Sequence, residues 1–193
     1  MSERMYIKNP YIAGSDWHDD LAADLAYGCV FCKTGLESLV ANALNQKYNV
    51  LRALAVSQLK HKSTNGVKTV YEQVLLPGYV LFRAYEENLP LYDFQNVQGV
   101  IQVMRNTSGD WRLGQNDRGF ADWVFCQGGL IGMSSAYDVG DKVRIYSGPL
   151  KDYEGCIIKI DRRSRNGLVE IEFGSKTWRL WLAFEMLDVC QVS

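Results

Sequence analysis

The chain has 193 residues, 47% of them hydrophobic and 22% charged, with a net charge of -1. That length suits one or two domains with a buried core, and the near-neutral balance excludes a protein that holds nucleic acid by bulk charge. Splitting the chain at Val139 leaves 12 Lys and Arg against 14 Asp and Glu before it, and 9 against 8 after, so any phosphate contact must be local.

Residues 1–26 carry Asp16, Asp19, Asp20 and Asp24 without a sustained period and read as an N-terminal extension. From Tyr27, "YGCVFC" is a short apolar strand, and Thr34 stands three residues before Glu37 in a capping-box spacing that predicts a helix start. Leu36, Leu39, Val40, Ala43, Leu44 and Tyr48 place one apolar stripe on that helix. "VLRALAVSQLKHKS" and "VKTVYEQVLLPGYVLFRA" read as strands joined by a tight turn at Asn65-Gly66. "NLPLYDFQNVQGV" is expected as a second helix, "VIQVMR" as a strand and "NDRGFADWVF" as a last short helix. This alternation predicts an α+β fold whose N-terminal part, residues 27–125, is an α/β sandwich of an antiparallel sheet with helices. "CQGGLIGMSSAYD" shows no period and reads as a linker over residues 126–138. After it, "DKVRIY", "EGCIIKID", "LVEIEF" and "TWRLWLA" follow in quick succession, and residues 139–193 are expected as a small β-barrel.

Pro77 and Gly78 interrupt a run that is apolar at successive positions, Val74 to Leu76 before them and Tyr79 to Phe82 after. Such a strand is covered on both faces, or leaves a surplus apolar face for a partner. Pro77 holds Leu76 extended and Gly78 permits a kink or bulge that re-aims Tyr79. A bulge inside an ordinary core strand is the other reading. Arg162, Arg163 and Arg165 crowd the turn before Asn166-Gly167. Guanidinium groups there could engage phosphates or stack on unpaired bases, and Lys151 and Lys159 extend the basic surface; a solvated turn is the alternative. Trp178 and Trp181 are expected on opposite faces of one strand, one in the core and the other a possible stacking platform.

Catalytic chemistry finds little footing. The histidines, His18 and His61, accompany no nucleophile motif, and Cys29-x-x-Cys32 lacks a second pair, so no metal and no cofactor are expected. No apolar run approaches the roughly 20 residues of a spanning helix, and "MSERMYIKNP" lacks the apolar stretch of a secretory signal. Five cysteines, with Cys29 and Cys32 the one close pair, suggest no disulfide framework. The expectation is a cytoplasmic, non-enzymatic protein with reduced thiols and no membrane partner.

"LLPGYVLFRA" resembles a strand of the NusG family of transcription elongation factors. "YGCVFCKTGLESLVANAL" is similar to that family's opening strand and helix. "GDKVRIYSGPLKDYEGCIIKIDRRSRNGLVEIEF" resembles its C-terminal KOW domain, an SH3-like barrel, including Gly148, Pro149 and Gly155. The resemblance spans about residues 27–188 in the family's order. It implies a monomer whose N-terminal domain binds RNA polymerase, at the clamp coiled coil, through an exposed hydrophobic patch. Phe31, Leu76 and Tyr79 fall on patch positions; Leu75 and Leu76 replace the aromatics common there and keep the patch apolar. "IDRRSRNG" and "GPLKDYEG" look most like the LoaP group of antiterminators, which implies recognition of an RNA hairpin in the nascent leader transcript. RfaH-like relatives read non-template DNA, and Lys33 matches a basic position there. KOW stretches also occur in ribosomal proteins, so a ribosomal protein as partner, or a ribosome-associated RNA-binding role, is the alternative.

Overall fold

The computed structural model describes residues 25–64, 67–85, 89–140, 142–174 and 176–187. The expected extension, up to residue 24, and the Asn65-Gly66 turn lie outside the described residues. In chain order, β1 (Leu25–Cys32) leads to α1 (Glu37–Lys47), β2 (Leu51–Ala55), the hairpin of β3 (Ser57–Thr64) and β4 (Val67–Val74), and β5 (Tyr79–Tyr85). A 3-10 turn at Leu91–Asn96, β6 (Val100–Val103) and α2 (Gln115–Cys126) follow. Then come β7 (Leu130–Ile131), β8 (Ser134–Val139), β9 (Lys142–Ser147), the single turn α3 (Pro149–Asp152), β10 (Ile157–Asp161), β11 (Asn166–Phe173) and β12 (Lys176–Met186). The fold is α+β, with sheets ordered β2-β5-β1-β6, β4-β3-β7 and β10-β11-β12-β8-β9.

β1 and β5 run antiparallel at the centre of the first sheet, with Val30 opposite Val80 and Phe31 opposite Tyr79. Strand alternation sends Val30, Cys32, Val80 and Phe82 to one face, where Val40, Ala41 and Leu44 of α1 cover them. It sends Tyr27, Cys29 and Leu81 to the other, where they join Phe120 and Val124 of α2. Two helices on two faces explain the unbroken apolar text. Gly28 is required there, because a Cβ would stand 2.3 Å from the Phe82 ring. The outer edge of β2 is closed by Asn45, whose amide donates to the Ala53 carbonyl at 2.9 Å and accepts its N–H at 2.7 Å.

Three local expectations change. Thr34 does not cap α1: Leu36 is the N-cap residue, without a side-chain hydrogen bond, and the Glu37 carboxylate instead accepts the Gly35 N–H at 2.9 and 3.1 Å. The helix is rotated accordingly, so Glu37 is buried while Leu39 faces solvent. The expected second helix is only the 3-10 turn after Pro90; it sinks Phe94 against Phe82 and Tyr48, with ring centroids 5.5 and 5.1 Å apart. Residues 126–138, read as a linker, contain β7, paired in parallel with β3, and most of β8. Their signal is faint because Ser134 and Ala136, both buried, are too small to register as an apolar period.

β8 lies between β12, to which it is parallel, and β9, to which it is antiparallel. Along β11, Gly167, Val169, Ile171 and Phe173 point inward. The two halves share one apolar core through α2, whose Phe120 meets Phe173 at 5.2 Å and whose Trp123 meets Tyr153 edge-on at 4.9 Å. Asp117 Oδ1 accepts the Gly174 N–H at 2.9 Å from the same helix. A helix pressed between two sheets buries residues around most of its circumference, hence the dense "FADWVF".

Candidate functional site

Pro77 and Gly78 form a tight turn. The Leu76 carbonyl accepts the Tyr79 N–H at 3.2 Å, and Gly78 has φ +83°, the left-handed value that the third position of a type II turn demands. The turn ends the hairpin and launches β5 along β1, with the Cys32 N–H donating to the Gly78 carbonyl at 2.8 Å. A buried carboxylate holds it: Glu37 Oε1 accepts the Gly78 N–H at 2.7 Å. Burial pushes the Glu37 carboxyl up, but the N–H donors of Gly78, Glu37 and Gly35 outweigh that and hold it below the ordinary carboxylate value.

The turn sets Tyr79 beside Phe31, with ring centroids 5.4 Å apart. The structure thus brings together two of the three residues expected on a docking patch. Leu76 does not share their exposure: it is wholly buried in the core that spans both halves. Phe31 and Tyr79 are half-buried rather than open, and the Tyr79 ring is met at right angles by Trp178 of β12 at 5.6 Å. The expected bare patch is covered by the chain's own C-terminal sheet, because Trp178 finds an apolar ring there while its Nε1 donates to the Phe173 carbonyl at 3.1 Å. Trp178 and Trp181 are both half-buried, so the strand does not divide them into one core ring and one exposed ring as expected. This Trp178 contact was illegible in the sequence, since it joins residues about a hundred positions apart. His61 lies in β3 with Nε2 3.3 Å from Glu185 Oε1 of β12, a further contact between the halves.

The basic residues fall in four places. Arg162 and Arg163 are exposed in the turn between β10 and β11; Arg165, half-buried, adopts φ +54°. Arg162 Nη2 stands 3.3 Å from Asp138 Oδ1 at the end of β8. Lys151, in α3, is engaged, with Nζ 2.6 Å from Glu154 Oε2 and 3.1 Å from the Ile145 carbonyl. Lys159 is exposed on β10, and Lys33 is exposed at the α1 entrance, remote in sequence from the others. Its backbone N–H donates to the Gly99 carbonyl at 2.8 Å.

Cys29 and Cys32 lie on opposite faces of β1, one in each apolar cluster. Burial pushes the Cys29 thiol well above its ordinary value and the Cys32 thiol to about 11. Neither is poised as a thiolate nucleophile. Among the described residues, no three His, Cys, Asp or Glu side chains gather as a metal site, and no helix is long and apolar enough to cross a membrane.

By fold the chain is an α+β protein in which a helix-covered antiparallel sheet meets a curled five-stranded sheet of the small-barrel kind. No protein-family model matches it. Over 126 residues it is 29% identical to the transcription termination/antitermination protein NusG of Borreliella burgdorferi, covering 58% of this chain and 67% of that protein. It is also similar to a solved structure described as "Domain interaction in Thermotoga maritima NusG", at 18% identity and a TM-score of 0.48, covering 83% of this chain and 94% of that one.

Proposed function

We propose that the chain is a non-enzymatic, cytoplasmic transcription elongation and antitermination factor of the NusG family, monomeric and of two domains. Residues 27–125 form the NusG N-terminal domain and residues 139–193 the KOW domain, with 126–138 between them. The first holds RNA polymerase at the clamp coiled coil through Phe31 and Tyr79, with Leu76 supporting them from the core. The second contacts an RNA hairpin in the nascent leader transcript through the Arg162, Arg163 and Arg165 turn and Lys159, in the manner of the LoaP group. Lys33 is a candidate contact to non-template DNA.

The observation that carries this reading is the Phe31–Tyr79 ring pair, held at the ends of the two central strands by the Pro-Gly turn, in a chain similar to a NusG protein. Large apolar anchors in one cluster suit a helical partner surface. Such a factor acts by differential binding: tighter association with the elongation-competent clamp than with the paused one shifts that equilibrium. Because Trp178 lies on Tyr79, engagement through these rings requires the C-terminal sheet to withdraw.

The test is capture from a bacterial lysate on the immobilised chain. Polymerase subunits are expected to co-elute, and Phe31→Ala with Tyr79→Ala to abolish this. Elution of ribosomal particles instead overturns the reading in favour of a ribosome-associated protein. For the RNA contact, Arg162→Ala/Arg163→Ala/Arg165→Ala is expected to weaken leader-hairpin binding and flatten its salt dependence; unchanged affinity discards the basic turn.

A further inference from the structure

We infer that the outer face of β9 is a stacking site for unpaired nucleotides of an RNA strand. This rests on the RNA-binding reading of the C-terminal domain and names the part of the RNA it takes. Three observations converge on this face.

The pairing of β8 with β9 slips by one residue: Ser135 opposes Ser147 while Ala136 opposes Ile145. Tyr146 is therefore the extra residue of a β-bulge, a device that re-aims a side chain. Tyr146 as a whole is 52% exposed, and its ring is braced edge-on by Tyr137 of β8, with centroids 6.4 Å apart and planes at 76°. A large ring held open by a bulge and fixed by a second ring offers a flat π-face to a base.

Two cations precede Tyr146 on the same strand. Arg144 lies opposite Tyr137 and Lys142 precedes it, both exposed. Beyond Arg144 the sheet does not close, since β9 and β10 are its two ends. A cleft of about 270 Å³ opens in this seam, floored by Ile145 and Ile157, with Arg144, Lys159 and the Glu154 carboxylate among the residues that line it. The Arg162–Asp138 contact brings the basic turn to the end of β8 that pairs with the start of β9. From Lys142 to Tyr146 the strand then spans about 13 Å, and its two cations, of which Arg144 has Nη1 4.0 Å from Glu154 Oε1, lead to an aromatic face.

An extended peptide adding to the seam is disfavoured at Ile145. Its carbonyl accepts Lys151 Nζ at 3.1 Å, so the edge there is already closed by a side chain. Lys151 is accordingly a cap on the β9 edge. A base-paired stem presents no free base face, whereas a loop or bulge nucleotide does.

The test uses the full chain and fluorescence anisotropy against two probes, a short unstructured pyrimidine RNA and a blunt stem of equal length. Tyr146→Ala is expected to weaken the single strand roughly tenfold and leave the stem unchanged, while Tyr146→Phe stays within about twofold of the parent because the π-face is kept. Unchanged single-strand affinity in Tyr146→Ala, with binding by the parent intact, overturns this inference and leaves the RNA-binding reading standing. Absence of binding to either RNA by the parent overturns both. Capture of a protein but no RNA, lost in Tyr146→Ala, assigns the face to a protein and likewise overturns the inference.

Discussion

Glu37 and Gly78, 41 residues apart, are joined by a 2.7 Å hydrogen bond between a buried carboxylate and the N–H of a left-handed glycine. One side chain thereby fixes both the start of α1 and the turn that aims Tyr79. Glu37→Ala would strand buried N–H groups and is expected to lower stability by about 2–3 kcal/mol, read as a shift of the urea midpoint at constant slope.

The same group sets an acid limit. Its folded-state pKa lies below the ordinary value, so its contribution is fully present above the unfolded carboxyl pKa of about 4.3 and is lost as pH falls through the folded value. The parent is expected to lose stability on acidification in this range, and Glu37→Gln to start lower but lose less there. Parallel curves for the two proteins would show that Glu37 does not carry the acid sensitivity.

Gly28→Ala pushes a methyl into the Phe82 ring, at 2.3 Å before relaxation, and both strands are central. The expected cost is about 1–3 kcal/mol. Adding Phe82→Leu should recover part of it, which thermal unfolding of the single and double variants measures as non-additivity.

Trp178→Ala removes the ring that stands on Tyr79. A melting point lower by several degrees, roughly 1–2 kcal/mol of lost contact, is expected together with stronger capture of polymerase. Weaker capture would mean that Trp178 belongs to the docking face rather than covering it.

Thiol labelling separates the cysteines. Cys156 is exposed, whereas Cys29 and Cys32 are buried with raised pKa values. At mildly alkaline pH Cys156 is expected to react quickly, and Cys29 and Cys32 only once denaturant is added. Rapid reaction of either in the native protein would refute the packing of β1.

Sequence alone determined the order of most elements, the apolar character of "GCVF" and "YVLF" at successive positions, and a resemblance to one family, because periodicity and turn chemistry are local. Where it misread, the cause was also physical. Thr34 offered a cap that the longer Glu37 carboxylate displaced, the expected second helix is only a short 3-10 segment, and the small side chains of Ser134 and Ala136 hid β8 inside apparent linker. Only tertiary structure decided that α2 is pressed between the sheets, that Trp178 covers Tyr79, and that a bulge turns Tyr146 outward beside Arg144. Those facts depend on contacts between distant segments, whose free energy is settled by shape and desolvation when the halves pack and leaves no period in the chain.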